Sequence, residues 1–162
     1  MRRFALFLLA LSVVISGPVS AEDVEARNKA VARSFFEDVL DQGKLEDYAK
    51  SHAPDFVANS EGRQASLEED MAAAREQRKA MPDMRVKVIN IVAEGDLVSV
   101  HWTASGTNTA AGWGIPATGK SVSVHGMTMF RFERGLIQEE WSVFNMYSLL
   151  KQLGLLPPPP GA

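Results

Sequence analysis

The sequence contains no cysteine and only three histidines among its 162 residues. The lack of cysteine excludes disulfide bonds, thiol catalysis and cysteine-ligated metal centres. Three histidines are also too few for a histidine-rich metal site, so no bound metal is expected. A domain of this length can bury an ordinary hydrophobic core without disulfides.

Clusters of basic residues are also lacking, and the formal net charge is −3. A nucleic-acid-binding surface needs grouped Lys and Arg side chains, so nucleic acid is not an expected partner. The glycines of the turns form neither a G-x-G-x-x-G motif nor a P-loop, which argues against a nucleotide-binding parallel sheet.

Neither end of the chain is predicted to belong to the folded domain. The apolar stretch Phe4–Ile15 follows two arginines and precedes the small residues Val19–Ala21, an order typical of a secretory signal peptide. Residues 1–21 are therefore predicted to be cleaved off, giving a periplasmic or secreted protein without a stable membrane anchor. An uncleaved anchor is the alternative, although spanning a bilayer takes roughly 20 apolar residues. The proline-rich residues 157–162 are predicted to be a disordered tail.

The domain between these ends, residues 22–156, is predicted to begin with helices. Apolar residues recur at helical spacing in Asp23–Asp41, and Lys44–Lys50 is predicted to be a second, short helix. Ser66 and Glu69 form a capping box at the start of a third helix, which runs to about residue 79.

The second half of the domain is predicted to be a β-meander. Its strands are Arg85–Val92, Leu97–Thr107, Ser121–Glu133 and Leu136–Phe144, preceded by a short extended segment at Asp55–Asn59 and followed by a short helix ending at Gly154. Helices followed by long antiparallel strands are an α+β order. We therefore predict a curved antiparallel sheet wrapped around the N-terminal helices, with room for a cavity between them.

Several segments together carry a family resemblance: Ala30–Phe36, Gly95–Trp102, Gly114–Lys120, Phe130–Trp141 and Leu149–Gly154. They resemble the SnoaL-like polyketide cyclase family of the nuclear transport factor 2-like superfamily. The resemblance implies a cone-shaped α+β barrel, often dimeric, with a hydrophobic pocket. It also implies ring closure by intramolecular aldol condensation without metal or cofactor. A small apolar molecule and a second copy of the chain are the expected partners.

The same resemblance marks a position on the last long strand. In that family an aspartate that transfers the proton follows a tryptophan, in a Glu-His-Trp-Asp arrangement. This chain has Glu139-Glu140-Trp141-Ser142 there. Ser142 therefore stands at the aspartate position and Glu140 at the histidine position, while Asn145 stands where the family often has a second aspartate. A hydroxyl group cannot replace a carboxylate as a base.

Glu140 is predicted to be the proton shuttle. Alternate residues of a strand share a face, so Glu140 lies with Ser142 and Phe144 on the face that the resemblance turns towards the pocket. An apolar cavity would raise the pKa of Glu140 towards neutrality, which suits a general acid or base. The alternative is that Glu139 and Glu140 are solvent-exposed charges at the rim, with Glu139 pairing with Arg131 across the strands.

His125 is the second predicted catalytic residue, because a histidine can share a proton with Glu140 near neutral pH. It lies on the neighbouring strand with Met127 and Met129, on the face opposite Thr128. Both faces of that strand are partly apolar, so the pattern does not decide which of them reaches the pocket. The alternative is a structural or interface role for His125.

Six further residues are predicted to bind the substrate: Asn59, Trp113, Thr128, Ser142, Phe144 and Asn145. Trp113 lies in a loop at the expected mouth of the cavity, where an aromatic ring can cover a planar ligand. Two main functions stay open. The first is a cofactor-free acid–base cyclase or isomerase acting on an apolar carbonyl compound. The second is a periplasmic ligand-binding or accessory protein without turnover, and a dimerisation module is a third.

Overall fold

The order of helices followed by strands is confirmed in the computed structural model, which describes residues 20–60 and 62–156. Helix α1 (Ala21–Ser34) continues as a π-helical segment (Phe35–Asp41), and a 3₁₀ helix follows at Leu45–Ser51; α2 is Leu67–Ala80 and α3 is Met146–Leu153. The strands are β1 (His52–Ser60), β2 (Arg63–Ser66), β3 (Arg85–Glu94), β4 (Leu97–Thr107), β5 (Ser121–Glu133) and β6 (Leu136–Phe144). The predicted tail, and all but the last two residues of the predicted signal peptide, lie outside the described residues.

Strands β4, β5 and β6 have the bounds predicted from the sequence. The two-residue turn between β5 and β6 places Arg134 at φ 52° and Gly135 at φ 82°. Two successive residues with positive φ give a turn whose twist matches that of the strands it joins. The turn residues and the alternation of the strands therefore specify the same hairpin.

The six strands form one curved sheet in the order β2-β1-β6-β5-β4-β3. Neighbouring strands are antiparallel except β1 and β6, which run parallel. The family resemblance implied a barrel, but this sheet does not close on itself: β2 and β3 are its two edges. An alternation pattern does not predict the parallel β1–β6 pair, because it indicates which face of the sheet a residue lies on and not which strands are neighbours.

Strand β2 was not predicted, since the sequence indicates only a turn around residues 61–63. Residues 63–66 instead pair with residues 57–60 of β1 as a hairpin. Helix α2 starts directly afterwards, as predicted, at a capping box. The Ser66 backbone N–H donates to Glu69 Oε2 (2.7 Å), and the Glu69 backbone N–H donates to Ser66 Oγ (3.4 Å). A strand of four residues that ends on a helix cap is too short to show periodicity.

The hydrophobic core lies between the inner face of the sheet and the first helical segment. Phe130, Val98 and Val100 are fully buried on the sheet, and the rings of Phe35 and Phe36 each lie 6.0 Å from that of Phe130. These contacts determine which face of β5 points inward, a question that the sequence pattern did not decide. Its inward residues are Val122, Val124, Gly126, Thr128, Phe130 and Phe132.

Gly126 allows an indole to lie across the inner face of the sheet. It stands opposite Trp102 of β4, and a Cβ atom on Gly126 would overlap the six-membered ring of that indole. The bare backbone therefore lets Trp102 reach over β5, where its Nε1–H donates to Thr128 Oγ1 at 3.0 Å.

We expect Gly126→Ala to lower the free energy of unfolding by about 1–3 kcal/mol, the usual cost of overpacking a core. Urea unfolding measures it as a lower midpoint with an unchanged slope. Trp102→Leu destabilises by leaving a cavity but also removes the clash. The double variant should therefore be more stable than the sum of the single effects predicts. Ser123→Ala, an exposed position on the same strand, is the control, and additive effects would contradict the clash.

Candidate functional site

A cavity of about 480 Å³ lies between the inner face of the sheet and the helices. Its volume is in the range of small-molecule binding sites. The walls are mostly apolar and include Phe36, Leu40, Met81, Met84, Val86, Val122 and Leu149. The few polar groups on such walls are the ones that can orient a ligand or carry chemistry.

Five of the eight residues predicted to form the site face this cavity. They are Glu140, Ser142 and Phe144 of β6, Thr128 of β5, and Trp113 from the loop between β4 and β5. The β6 residues do so because alternate side chains of a strand share a face. Trp141 lies on the outer face of the same strand. The structure thus places these side chains together, while their roles stay predictions.

His125 is not among them. It is exposed on the outer face of β5, where its ring lies 5.9 Å from that of His101. The inner face is taken by Thr128, and a residue three positions earlier on a strand points the opposite way. His125 therefore cannot share a proton with Glu140, and the predicted Glu140–His125 pair is corrected.

Asn59 and Asn145 are also outside the cavity. The Asn59 side chain donates to the backbone oxygen of Glu140 at 3.1 Å and lies beside Glu139, on the outer face. Asn145 is the N-cap of α3, and its Oδ1 accepts the Ser148 backbone N–H at 2.8 Å. Both side-chain amides form hydrogen bonds with backbone groups, a role that residue type and approximate position did not reveal.

Glu140 is buried to 9% exposure on the cavity wall. Burial, and then the nearby carboxyl group of Asp70, raise the pKa of Glu140 to about 8. Within the described residues the Glu140 carboxyl makes no hydrogen bond. The neutral, protonated form is therefore favoured at pH 7, as expected for a carboxyl group that has lost water and gained no donor.

Asp70 of α2 is the residue that sequence reasoning missed. It faces the same cavity, and the Tyr48 hydroxyl donates to Asp70 Oδ2. Burial raises the pKa of Asp70, whereas the Tyr48 hydrogen bond opposes the rise. Burial and then the two carboxyl groups hold the pKa of Tyr48 well above its ordinary value, so it stays a donor. A signal for Asp70 existed: it shares a helical stripe with Ala74, Gln77 and Met81, all cavity-lining.

The environments of the two carboxyl groups determine which of them, Asp70 or Glu140, holds a proton at neutral pH. Asp70 receives a hydrogen bond that stabilises its charge, while Glu140 receives none from the described residues. Two neighbouring carboxylates in an apolar site resist double ionisation. The proton is therefore held on Glu140, and Asp70 carries the charge.

His52 packs against Tyr48, the tyrosine that donates to Asp70. His52 is the first residue of β1 and is 3% exposed, and its ring stacks on Tyr48 with centroids 4.9 Å apart. Burial lowers the pKa of His52 to about 4, so it is neutral at pH 7. Its Nδ1–H donates to the backbone oxygen of Tyr48 at 2.9 Å, which fixes the ring against the tyrosine.

A hydrogen-bonded chain crosses the sheet beside Glu140. Trp102 Nε1–H donates to Thr128 Oγ1 at 3.0 Å, and Thr128 Oγ1 lies 2.8 Å from Ser142 Oγ. Thr128 is buried, and Ser142 borders the cavity. Ser142, which stands at the aspartate position of the family pattern, is thus held to the neighbouring strand β5 by a hydrogen bond.

Two stacked aromatic rings border the cavity near the β4–β5 loop. Trp113 and Phe144 lie parallel within 4°, with ring centroids 5.9 Å apart. Trp113 has a φ of 59°, an uncommon conformation for a bulky residue. It is 44% exposed, which places an adaptable aromatic surface at the edge of the site.

A metal site is not evident in the part of the chain that the structure describes. No three His, Asp or Glu side chains of residues 20–60 and 62–156 are grouped so that they could hold an ion. The polar side chains that line the cavity include the carboxyl groups of Asp70 and Glu140 and the hydroxyl groups of Tyr48, Thr128 and Ser142.

Comparisons with known proteins agree with this fold. The family model for SnoaL-like polyketide cyclases matches residues 30–153. AclR from Streptomyces galilaeus, proposed to be a hydroxylase, is 32% identical, with 82% of this chain and 99% of AclR covered and a TM-score of 0.74. IdmH from Streptomyces antibioticus, proposed to be a polyketide cyclase, is 27% identical, covers 78% of this chain and 98% of its own, and has a TM-score of 0.70.

A protein from Jannaschia sp. CCS1, proposed to be a SnoaL-like polyketide cyclase, shares the fold at 21% identity. It covers 83% of this chain and 96% of its own, with a TM-score of 0.75. No curated protein matches the sequence.

We expect Glu140→Gln to stabilise the protein at pH 8 and above. A carboxyl group whose pKa rises on folding destabilises the folded state as pH increases from the unfolded value of 4.5 to about 8. A tenfold difference in proton affinity between the folded and unfolded states corresponds to about 1.4 kcal/mol. The gain should therefore reach a few kcal/mol and vanish near pH 4. Urea titrations at several pH values measure it.

The matched control is Glu139→Gln, because the Glu139 side chain lies on the outer face and pairs with Arg131 at 2.6 Å, as the sequence predicted. This variant should still lose stability between about pH 4.5 and pH 8, as the parent protein does, because Glu140 is unchanged. An equal flattening of the pH dependence in both variants would contradict the burial of Glu140.

Proposed function

Because the chain belongs to the SnoaL-like polyketide cyclase family, we propose that it is a cofactor-free acid–base enzyme, a cyclase or isomerase, acting on an apolar, carbonyl-containing small molecule. The observation that carries the proposal is the pair of carboxyl groups, Asp70 and Glu140, on the wall of one apolar cavity. Two carboxyl groups held in different protonation states supply both a base and an acid at neutral pH.

The two groups have complementary roles. Asp70, charged and held by Tyr48, removes a proton from the carbon next to the carbonyl group. Glu140 donates its proton to the carbonyl oxygen as the enol forms. The enol carbon then attacks a second carbonyl carbon of the same molecule, which closes a ring; the enol O–H returns its proton to Glu140, and the new alkoxide takes the proton held by Asp70. In an unsaturated ketone the dienol instead takes the Asp70 proton at its γ-carbon while its O–H returns a proton to Glu140, which shifts the double bond and isomerises the molecule.

The cavity fits such a ligand in size and polarity. Its volume of about 480 Å³ is lined mostly by apolar side chains, and the stacked rings of Trp113 and Phe144 offer a flat surface to a planar molecule. Low polarity also strengthens every interaction of the two carboxyl groups with the reacting atoms. A small apolar ligand is thus the proposed partner.

This assignment differs from the family pattern at one position. Where the pattern has an aspartate after the strand's tryptophan, this chain has Ser142. We propose that Asp70 supplies the missing base from the opposite wall. The same substitution favours the second candidate, a ligand-binding protein without turnover, in which the cavity is kept and the chemistry is lost.

Exchange of α-protons in D₂O tests the proposal without knowledge of the product. With 2-acetylnaphthalene as the probe, NMR should show that the protein accelerates loss of the methyl proton signal. Asp70→Asn should slow the exchange by about 10²–10⁴-fold, the usual contribution of a positioned base. Glu140→Gln should slow it by a similar factor, because the amide cannot give up a proton.

The control for this assay is Glu139→Gln, which should leave the exchange rate unchanged. Binding of the probe with no exchange in the parent protein would favour the non-catalytic candidate. Equal exchange in the parent protein and in Asp70→Asn would remove Asp70 as the base.

The pH dependence of the exchange should be bell-shaped. The rate rises as Asp70, whose pKa burial raises from its ordinary value, loses its proton, and it falls near pH 8 as Glu140 loses its own proton. In Glu140→Gln the alkaline limb near pH 8 should disappear from the residual rate. An alkaline limb that persists unchanged there would assign it to another group.

We propose further that the protein is exported and that it forms a homodimer. Among residues 20–60 and 62–156, no helix has the length and apolar character needed to cross a membrane. Export is supported by the signal-peptide pattern of residues 1–21. A homodimer is supported by apolar side chains that the outer face of the sheet leaves exposed, among them Val92, Met127 and Val143.

A further inference from the structure

The direction of the hydrogen bonds between Trp102, Thr128 and Ser142 can be read from the donors alone. An indole N–H donates and never accepts, so Thr128 Oγ1 accepts from Trp102. The Thr128 hydroxyl proton then needs an acceptor of its own, because this side chain is 3% exposed. Apart from Trp102, Ser142 Oγ at 2.8 Å is the hydrogen-bond partner that the described residues offer it.

The burial of Thr128 thus favours donation from Thr128 to Ser142 over the reverse direction. If Ser142 donated instead, the buried Thr128 proton would be left without a partner, at a cost of about 1–3 kcal/mol. Ser142 Oγ makes no second hydrogen bond within residues 20–60 and 62–156, and it borders the cavity. Its own proton is thus free to point into the cavity, and a hydroxyl that already accepts a hydrogen bond is a stronger donor.

We propose that Ser142 donates a hydrogen bond to the carbonyl oxygen of the ligand and forms, with the Glu140 carboxyl group, a two-donor site for the oxygen on which negative charge develops. This inference rests on the function proposed above. It assigns Ser142 as a catalytic residue, and Thr128 and Trp102 as positioning residues that act through it.

The strand geometry allows Glu140 and Ser142 to donate to the same carbonyl oxygen of the ligand. Glu140 and Ser142 are two positions apart on the same face of β6, which puts their Cα atoms about 6.6–6.8 Å apart. An oxygen atom between the two side chains can accept from both with its two lone pairs. Asp70 approaches from α2, so the carbonyl oxygen faces the sheet and the carbon to be deprotonated faces the helix.

The hydrogen-bonded chain of Trp102, Thr128 and Ser142 also puts a hydrogen-bond donor where the family pattern has an acceptor, the aspartate. An aspartate there would accept from Thr128 and present a negative charge to the ligand. Ser142 presents a proton instead, so the site selects ligands with an acceptor at this point, such as a ketone, an ester or a quinone. Gly126 contributes indirectly, because only its bare backbone lets the Trp102 indole reach Thr128.

The infrared carbonyl stretch of bound 2-acetylnaphthalene, labelled with ¹³C at the carbonyl carbon, tests the inference directly. Each hydrogen bond to the oxygen lowers that frequency. We expect Ser142→Ala to move the stretch to higher frequency and to weaken binding about 3- to 10-fold, the value of one hydrogen bond. It should lower kcat for α-proton exchange more than it raises KM, because the bond strengthens as charge develops.

Two further variants separate a donor from a structural role. Thr128→Val removes the relay but keeps Ser142, and should move the stretch part of the way, while Thr128→Ser should restore the parent value. Ser142→Asp should weaken probe binding, because the carboxylate accepts from Thr128 and offers the ligand no proton. Ser123→Ala, exposed on the outer face, is the control and should change nothing.

The outcomes distinguish this inference from the function on which it rests. An identical carbonyl stretch in the parent protein and Ser142→Ala, with exchange still dependent on Asp70, would overturn the donor role alone. Tighter probe binding by Ser142→Asp would also overturn it. A parent protein that does not bind the probe would overturn both proposals, since each needs an apolar ketone in the cavity.

Discussion

Two carboxyl groups face one apolar cavity in this protein, and the cost of charging both determines the chemistry of the site. Desolvation penalises each negative charge, and the proximity of the groups penalises the second charge further. The Tyr48 hydroxyl decides between them by donating to Asp70, which leaves the proton on Glu140. A base and an acid therefore coexist near neutral pH, an arrangement that identical carboxyl groups in water cannot maintain.

The packing of the sheet produces this site through small residues as much as through large ones. The absence of a side chain at Gly126 lets the Trp102 indole cross β5 and hold Thr128, and Thr128 in turn orients Ser142. Phe35 and Phe36 of the first helical segment form part of the opposite wall of the cavity and pack on Phe130 of the sheet. Core packing and the candidate site thus depend on the same contacts at this wall.

The sequence predicted the part of the site that depends on local periodicity. Strand alternation placed Glu140, Ser142 and Phe144 on one face, and the structure has all three on the cavity wall. It did not predict Asp70, because three acidic residues at the start of a helix are usually explained by capping and by the helix dipole. His125 was predicted to be catalytic because a histidine can share a proton with Glu140. Both faces of β5 carry apolar residues, and alternation could not show that His125 lies on the outer one.

The sequence by itself determined the bounds of β4, β5 and β6, the helix cap at Ser66 and the α+β class, because each depends on residues close together in the chain. The tertiary structure alone decided which side chains meet: the parallel pairing of β1 with β6, the outward position of His125, and the approach of Asp70 and Tyr48 to Glu140. These contacts join residues separated by up to 92 positions along the chain. The protonation state of the site depends on burial and neighbouring charge, which arise only when distant segments pack together.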